Sequence, residues 1–457
     1  MYILDAINSI ILYKILTIPL LIWVFIGVGS LLMFKIRFAN IIRLPEALSY
    51  AIRGKNKDDS GKEGVGSITA LMSQLACNLG IGNFAGSAFA LYYGGPGVII
   101  WFFILSFLSS AIKFGEVVLA HKYRSIEANG EIRGGTFYFI IHGIGKRYKC
   151  SKIIKAFAIV SALSVILISI GTGSMQFNQI GTLLFATNGV LYAEFNSIIC
   201  TLIVGIVITI LLFGGLKKVG AVSDVLVPIM GILYIGSCII SLTVHHDNIL
   251  PTCKIIFESA FNIKTTSISF ITMLLVSINR IISTTDTAAG FSAISQSNSN
   301  LKLAGQQGLV SFFDPFIVAT IMGIGAFAIL VVGVPYMETQ YLGLLAIKEV
   351  FVSVHPGFEY MLIFIAFLFG FTTIMAVGFY VQQSCIFLFG NKFSKIYVLG
   401  YVLVYSVGAF NNITTLYKIM DIAYSIGVMV NLIAICLLVN DVKLAWQEYV
   451  LSKKNKT

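Results

Sequence analysis

Charge is what this 457-residue sequence lacks: 11% of it is Asp, Glu, Lys or Arg, against 57% hydrophobic residues. That balance leaves too little polar surface to wrap a water-soluble body of this size, and it makes a lipid bilayer the solvent. Paired cysteines are missing as well. The seven cysteines stand singly, with no C-x-x-C spacing, so neither a disulfide nor a zinc framework is implied. His245 and His246 adjoin without further ligands at metal spacing and read as a solvated loop. No nucleophile–base pair, metal cluster or phosphate-binding loop stands out, which argues against an enzyme. A signal-peptide core is too short to match the first apolar run, residues 15–34, and Lys35 and Arg37 follow where a cleavage site would need small residues. That run is expected to be kept as a spanning helix.

Long apolar runs are what the sequence does have. An α-helix needs about 20 residues to cross hydrocarbon. Runs of that kind are centred on residues 15–34, 67–91, 98–120, 156–184, 197–214, 220–243, 266–293, 308–332, 358–380, 396–410 and 419–439. The expected fold class is therefore an all-α polytopic membrane protein with about eleven transmembrane helices. Lys35, Arg37, Arg43, Arg53, Lys55, Lys57 and Lys62 place the loop 35–62 in the cytoplasm by the positive-inside rule, with the amino terminus outside. With sides alternating from there, 24 of the 31 Lys and Arg residues fall in inner segments and five in outer ones, and the carboxy terminus is cytoplasmic. The net charge of +11 then faces anionic inner-leaflet lipid, and no nucleic-acid partner is needed to explain it.

Two of the runs carry polar, flexible interruptions. Unwound backbone survives at mid-membrane only where protein or a cavity surrounds it, so such breaks point to a site. In the second run, Cys77-Asn78-Leu79-Gly80-Ile81-Gly82-Asn83-Phe84-Ala85-Gly86 holds three glycines and two asparagines. Close helix packing would account for Gly82 and Gly86, but not for Asn78 and Asn83. In the seventh, Asn279 to Gly290 holds Arg280, Thr284, Thr285 and Asp286. The spacing suits one extra amino-terminal helix with a basic loop (1–64), two five-helix repeats (65–245 and 266–440) joined by an outer connector (246–265), and a basic cytoplasmic tail (441–457). An opened helix offers amide donors to a carboxylate and carbonyl oxygens to a sodium ion.

Charged residues inside the runs are costly, at least about 2.5 kcal/mol each, and need partners or water. Lys113 and Glu116 lie three apart and are expected to neutralise each other locally. Arg280, Asp286 and Asp314 are expected to form structural or gating pairs rather than to touch the substrate, with cation or proton binding also open, and Glu116 counts with them as a gating or coupling charge. Thr372 and Thr373 have the option of bonding back to their own helix.

The stretch from Gly66 to Arg124 resembles the alanine or glycine:cation symporter family. The residues that carry the likeness include Ala70-Leu71, Gly80, Gly82-Asn83, Ala85-Gly86, Gly94-Gly95-Pro96-Gly97, Trp101, Lys113-Phe114, Glu116 and Tyr123-Arg124. It continues through Gly134-Gly135, Gln176, Asn178, Phe213-Gly214-Gly215, Arg280, Gln307-Gly308, Asp314 and Phe371-Thr372-Thr373. The resemblance implies a leucine-transporter-type fold of five plus five inverted helices in a bacterial inner membrane, carrying alanine or glycine with sodium as the coupling ion and no other cofactor. It implies that the amides of Ile81 and Gly82 receive the cargo carboxylate, that Gln176 and Asn178 approach its amino group, and that Asn83 also belongs to the substrate site. Thr284 and Thr285 would surround the rest of the cargo, and the carbonyls of Ala76 and Leu79 with the hydroxyls of Thr372 and Thr373 would hold sodium. Departures cluster in the same places. Ile81 replaces a small hydroxyl residue, Thr136 a proline, and Pro315 a threonine, and the glycine usual after the arginine is Ile281. Proton coupling and a non-transporting amino-acid sensor are the other functions considered.

The charge pattern is directly testable: a reporter fused after Thr457 is expected to signal from the cytoplasm. A signal from the outer side would overturn the assigned orientation.

Overall fold

The computed structural model describes residues 14–15, 18–53, 64–128, 130–148, 151–185, 203–261, 270–341, 343–408 and 413–454. Nearly all of them are helical. In chain order the helices that matter here are α1 (Leu20–Lys35), α2 (Leu44–Arg53), α3 (Ser67–Asn78), α4 (Ile81–Gly94), α5 (Val98–Lys122), α6 (Ser151–Phe185), α7 (Ile203–Leu212) and α8 (Gly215–Val244). There follow α9 (Ile249–Phe261), α10 (Phe270–Thr285), α11 (Phe291–Gln296), α12 (Ala304–Ser311), α13 (Phe313–Val332), α14 (Leu344–Val352), α15 (Phe358–Phe389), α16 (Ser394–Gly408), α17 (Ile413–Leu437) and α18 (Val439–Lys454). Among the described residues six helical stretches are long and apolar enough to span a membrane, and α1, α7 and α10 are shorter apolar helices.

Both interrupted runs are broken helices. The first splits into α3 and α4 at Leu79 and Gly80, and the second into α10 and α11 across residues 286–290. Two bodies surround them. α6 packs along α15, with α16 and α17 against this pair. α5 packs on α10, α12 and α13, while α4 packs on α10 and α13.

The structure corrects one local expectation and adds a helix to three other segments. The first span begins at Leu20 rather than at residue 15, because Lys14–Ile15 pairs as a short antiparallel ladder with Ile18–Pro19 and Pro19 then caps α1. The loop after α1 contains α2, an amphipathic helix, and the connector 246–265 contains α9. The carboxy-terminal segment is no loose tail. It forms α18, whose Trp446 and Tyr449 are buried against the body.

The turn between α4 and α5 shows how tightly these elements meet. Gly97 donates its N–H to Ser259 Oγ at 3.1 Å, and a Cβ there would lie 2.7 Å from the backbone nitrogen of Ala260 in α9. Backbone cannot yield as a side-chain tip does. Gly97→Ala is therefore expected to destabilise the protein by about 1–3 kcal/mol, the usual cost of overpacking. The measurement is the thermal midpoint in detergent, and an unchanged midpoint would show that α9 is free to shift.

Candidate functional site

The two breaks face one another, and their loose ends satisfy each other. Asn78, the last residue of α3, donates through Nδ2 to the Thr285 carbonyl at 3.0 Å and to Asp314 Oδ1 at 2.5 Å. Asn83, in the first turn of α4, donates to the Asn78 carbonyl and, at 3.3 Å, to the Thr284 carbonyl. The last carbonyls of a helix have no partner within it. Here asparagine amides supply one, which explains why asparagine occurs at positions where packing alone would select small residues.

The second break needs more support, since Asp286 and Ala288 adopt φ values of 49° and 61°, a left-handed backbone that L-residues disfavour. Glu116 holds it. From the middle of α5 its carboxylate accepts the N–H of Ala288 at 3.2 Å and that of Gly290 at 3.1 Å, together with the Asn431 side chain at 3.0 Å. The expected Lys113–Glu116 neutralisation is therefore not formed. Lys113 reaches across to Asp314 Oδ2 at 2.5 Å and donates to Ser292 Oγ at 2.6 Å, and both members of the pair are fully buried. Three residues along a helix permits a local pair but does not compel one, and each charge here found a better partner on another helix.

Between the breaks and α6 lies a cavity of about 640 Å³. It opens toward the face at which α1 and α10 begin and α4 ends, since Leu21, Tyr93 and Val276 are among its walls. Gly82 and Asn83 bring the amino-terminal end of α4 to it, and Ser283 and Thr284 bring the carboxy-terminal end of α10. One helix end carries partial positive charge and the other partial negative charge. Asp286 also lines the cavity, and its carboxylate accepts Tyr424 OH at 2.9 Å and the Cys77 thiol at 3.3 Å. Arg280 and Asp421 share the wall nearer the mouth, with the Arg280 guanidinium 5.4 Å from the Phe89 ring.

Other expected site residues sort into three groups. Gln176 lines the cavity, but its Oε1 accepts the Ile81 N–H at 2.9 Å, so that amide already has a partner. The same side chain fixes position 80 as glycine, because a Cβ there would lie 2.5 Å from Gln176 Nε2 and 3.1 Å from Thr373 Oγ1. Thr373 donates to the Ala76 carbonyl at 3.0 Å and thus sits at the end of α3 beside Leu79. Thr372 does not join it. Its hydroxyl bonds back to Leu368 and Phe369 and touches Met230 Sδ at 3.7 Å, toward α8. Thr285 is also turned away, with its hydroxyl among Ile281, Thr287 and Ser109. The Asn178 side chain lies outside the described residues.

Below the breaks, away from the mouth, a polar seam closes the path. Gln74 donates to Asn78 Oδ1 at 2.8 Å and accepts from Ser295 at 2.9 Å and Tyr380 at 3.3 Å. Further along, Ser67 donates to Gln307 and Gln307 donates to Gln296, at 2.9 and 3.0 Å. A backbone bridge ends the seam: the Val65 N–H donates to Asn298 and the Asn300 N–H to Val65, both at 2.9 Å. Among the described residues no group of three His, Cys, Asp or Glu is arranged to hold a metal ion.

Two broken helices meeting at a central cavity that is open to one face and sealed toward the other define a membrane transporter of the leucine-transporter type. The comparisons agree. A solved structure of MhsT in complex with L-phenylalanine superposes with a TM-score of 0.62 over 85% of this chain and 93% of that one, at 14% identity. The Sodium/alanine symporter AgcS of Methanococcus maripaludis is 28% identical over 433 residues, covering 92% of each chain, and an uncharacterized transporter of Haemophilus influenzae is 30% identical over 423 residues, covering 90% of this chain and 88% of that one. The model of the sodium:alanine symporter family matches residues 1–457, and the chain belongs to that family. It is accordingly a transporter and not an enzyme, a sodium-coupled symporter of amino acids in general terms.

The buried pair suggests a test of what holds the site. Removing one member of a buried ion pair strands the other, at a cost of about 3–5 kcal/mol, whereas replacing both by apolar residues is often tolerated. Lys113→Met alone is therefore expected to lower the thermal midpoint sharply, and Lys113→Met with Asp314→Leu to recover much of the loss. If the double variant is as unstable as the single, the pair has a role that apolar packing cannot fill.

Proposed function

We propose that the chain carries a small neutral amino acid, alanine or glycine by default, together with sodium by alternating access. The observation that carries this reading is the pairing of opposite helix ends across one cavity. A zwitterion presents a carboxylate and an ammonium group a few ångströms apart, and the start of α4 and the end of α10 offer the complementary charges. In this reading the Gly82 amide takes the carboxylate, and Asn83, whose side-chain amide is bonded to the Asn78 and Thr284 carbonyls, holds the start of α4 in place beside it. The ammonium group lies toward the Thr284 carbonyl and Asp286. Gln176 acts by shaping the turn at Gly80 and Ile81. Sodium sits where the Ala76 and Leu79 carbonyls approach Thr373, with Thr372 joining only if its rotamer changes. The sodium and alanine in the name of the Methanococcus relative support the same assignment.

The finer architecture is part of the proposal: eleven spans, an inverted five-plus-five repeat over 65–245 and 266–440, the amino terminus outside and a location in the bacterial inner membrane. On that orientation the cavity opens outward. Cargo and ion enter from outside, the two packed bodies rock about the site, and the polar seam opens to release both.

Uptake into vesicles is expected to follow an inward sodium gradient and to fall to background when choline replaces sodium at constant pH. Undiminished uptake would exclude sodium coupling and transfer the role to a proton on Asp286, the cavity carboxylate that lies at the second break. Asn83→Ala and Gln176→Ala are each expected to weaken apparent affinity about tenfold, the scale of a lost buried hydrogen bond. Unchanged affinity and sodium dependence in both, at equal protein levels, would move the site elsewhere. Binding without accumulation would favour a sensor.

A further inference from the structure

The carboxy-terminal helix α18 takes no part in the cavity, yet ion pairs and ring contacts tie it to α2, to α5 and to the segment before α6. It lies at the face opposite the cavity mouth and is too polar to be a span, with charged or amide side chains at Asp441, Lys443, Gln447, Glu448, Lys453 and Lys454. Asp441 at its start is buried and binds two cations at once: Lys122 at the end of α5, 3.2 Å away, and Arg147 on the segment leading to α6, 2.8 Å away. Arg147 also donates to the Leu437 carbonyl at the end of α17, at 3.3 Å. One turn on, the Trp446 ring stands edge-on to Phe114 of α5, centroids 5.6 Å apart, with the Arg43 guanidinium over the same ring, 5.2 Å from its centroid.

The far end of α18 is knotted to α2. Glu46 receives Lys453 Nζ at 2.5 Å, the Tyr449 hydroxyl, and Arg43 Nη1 at 3.2 Å. α2 in turn packs on α12, as does α18 itself. The helix therefore links both packed bodies. Arg147 and α17 connect it to the α6–α15 body, and Lys122, Phe114 and α12 connect it to the α5–α13 body. A strap that joins two bodies at one face opposes their separation at that face.

We propose that α18 is a conformational strap: docked on α2 through Glu46 it keeps the sealed face shut and favours the state with the cavity open at the mouth, and it must leave α2 before the polar seam can part. The ion pairs are partly exposed and so respond to salt. The Glu46 carboxylate responds little to pH in the neutral range. Burial alone would raise the Glu46 carboxyl, but Lys453, Tyr449 and Arg43 hold it below its ordinary value. A depressed carboxylate contributes stability above its unfolded pKa, about 4.3, and loses it only as pH falls through the lower folded value. For the Glu46 contacts, ionic strength rather than acidity in the neutral range is the physical control.

The inference rests on alternating access. Its test therefore reads conformation and not flux, so that a failure of transport does not imitate a failure of the strap. Two probes in a cysteine-free background report the two faces: Ser283→Cys in the cavity wall and Ser67→Cys in the polar seam, each labelled with a membrane-impermeant maleimide in sided vesicles. With Glu46→Gln or Asp441→Asn added, Ser283→Cys labelling is expected to slow and Ser67→Cys labelling to quicken, each by about fivefold, the upper range for such pairs. Lys453→Gln should shift them the same way, and Glu46→Gln with Lys453→Gln should shift them no further than Glu46→Gln alone. Raising KCl at the strap face from about 50 to about 500 mM should shift the two probes likewise without any strap substitution. Labelling rates that ignore both the substitutions and the salt, or that move in the opposite sense, would overturn the proposal. Should the strap variants fail to fold, the salt response alone decides it.

Discussion

Everything around the cavity depends on one buried charge pair. Lys113 and Asp314 lie at the centre of the α5–α13 body, and Asp314 also accepts the Asn78 amide at the end of α3. Lys113 donates in addition to Ser292, just inside α11. A single ion pair thus touches both broken helices. Such a pair is a poor source of net stability, because each charge loses its water. What it supplies is position. The open backbone at Gly80 and at residues 286–290 is held in register by side chains that have no comparable alternative in a bilayer. Glu116 completes the arrangement by accepting the two amides of the strained second break.

This organisation divides the molecule into parts that hold shape and parts that have freedom to move. The two breaks, α5 and α13 are tied by charge-assisted hydrogen bonds and behave as a unit. α17 touches that unit through Tyr424 to Asp286 and Asn431 to Glu116, both at the second break. Any ligand that changes the geometry of the second break is therefore felt by α17, which continues almost directly into the strap. α5 makes a second link between the same places, since it carries Glu116 at the second break and Phe114 and Lys122 at the strap.

Much of the fold was legible in the sequence, and the reasons are physical. Apolar runs must match the bilayer thickness, and glycines and asparagines in the middle of such runs betray a break. Both breaks lie within the stretches that composition marked. The partners of the charges were not legible. Lys113 sits three residues from Glu116 in sequence, and nothing in one chain of letters says that Asp314, about two hundred positions later, is nearer. Tyr424 and Asn431 lie in an ordinary apolar run and carry no local signal. The helix α18 was not foreseen because its charge marked only a basic cytoplasmic tail. Its buried face, Trp446 and Tyr449 among charged neighbours, was the available clue. The doublet Thr372-Thr373 had two opposite readings, and the structure divides them: Thr373 points to α3 and Thr372 back into its own helix.

The polar seam beneath the breaks has a consequence for the energetics of opening. Ser67, Gln74, Ser295, Gln296, Gln307 and Tyr380 are buried, and hydrogen bonds link them in two groups, Gln74 with Ser295 and Tyr380, and Gln307 with Ser67 and Gln296. An apolar seam would shut just as tightly, but parting it would bring hydrocarbon into contact with water. Amides and hydroxyls exchange one another for water with little net change, since a hydrogen bond to protein and one to solvent differ by only about 1 kcal/mol. The barrier is thus already wettable while dry, and the energy of its closed and open forms is set by the few contacts at its ends.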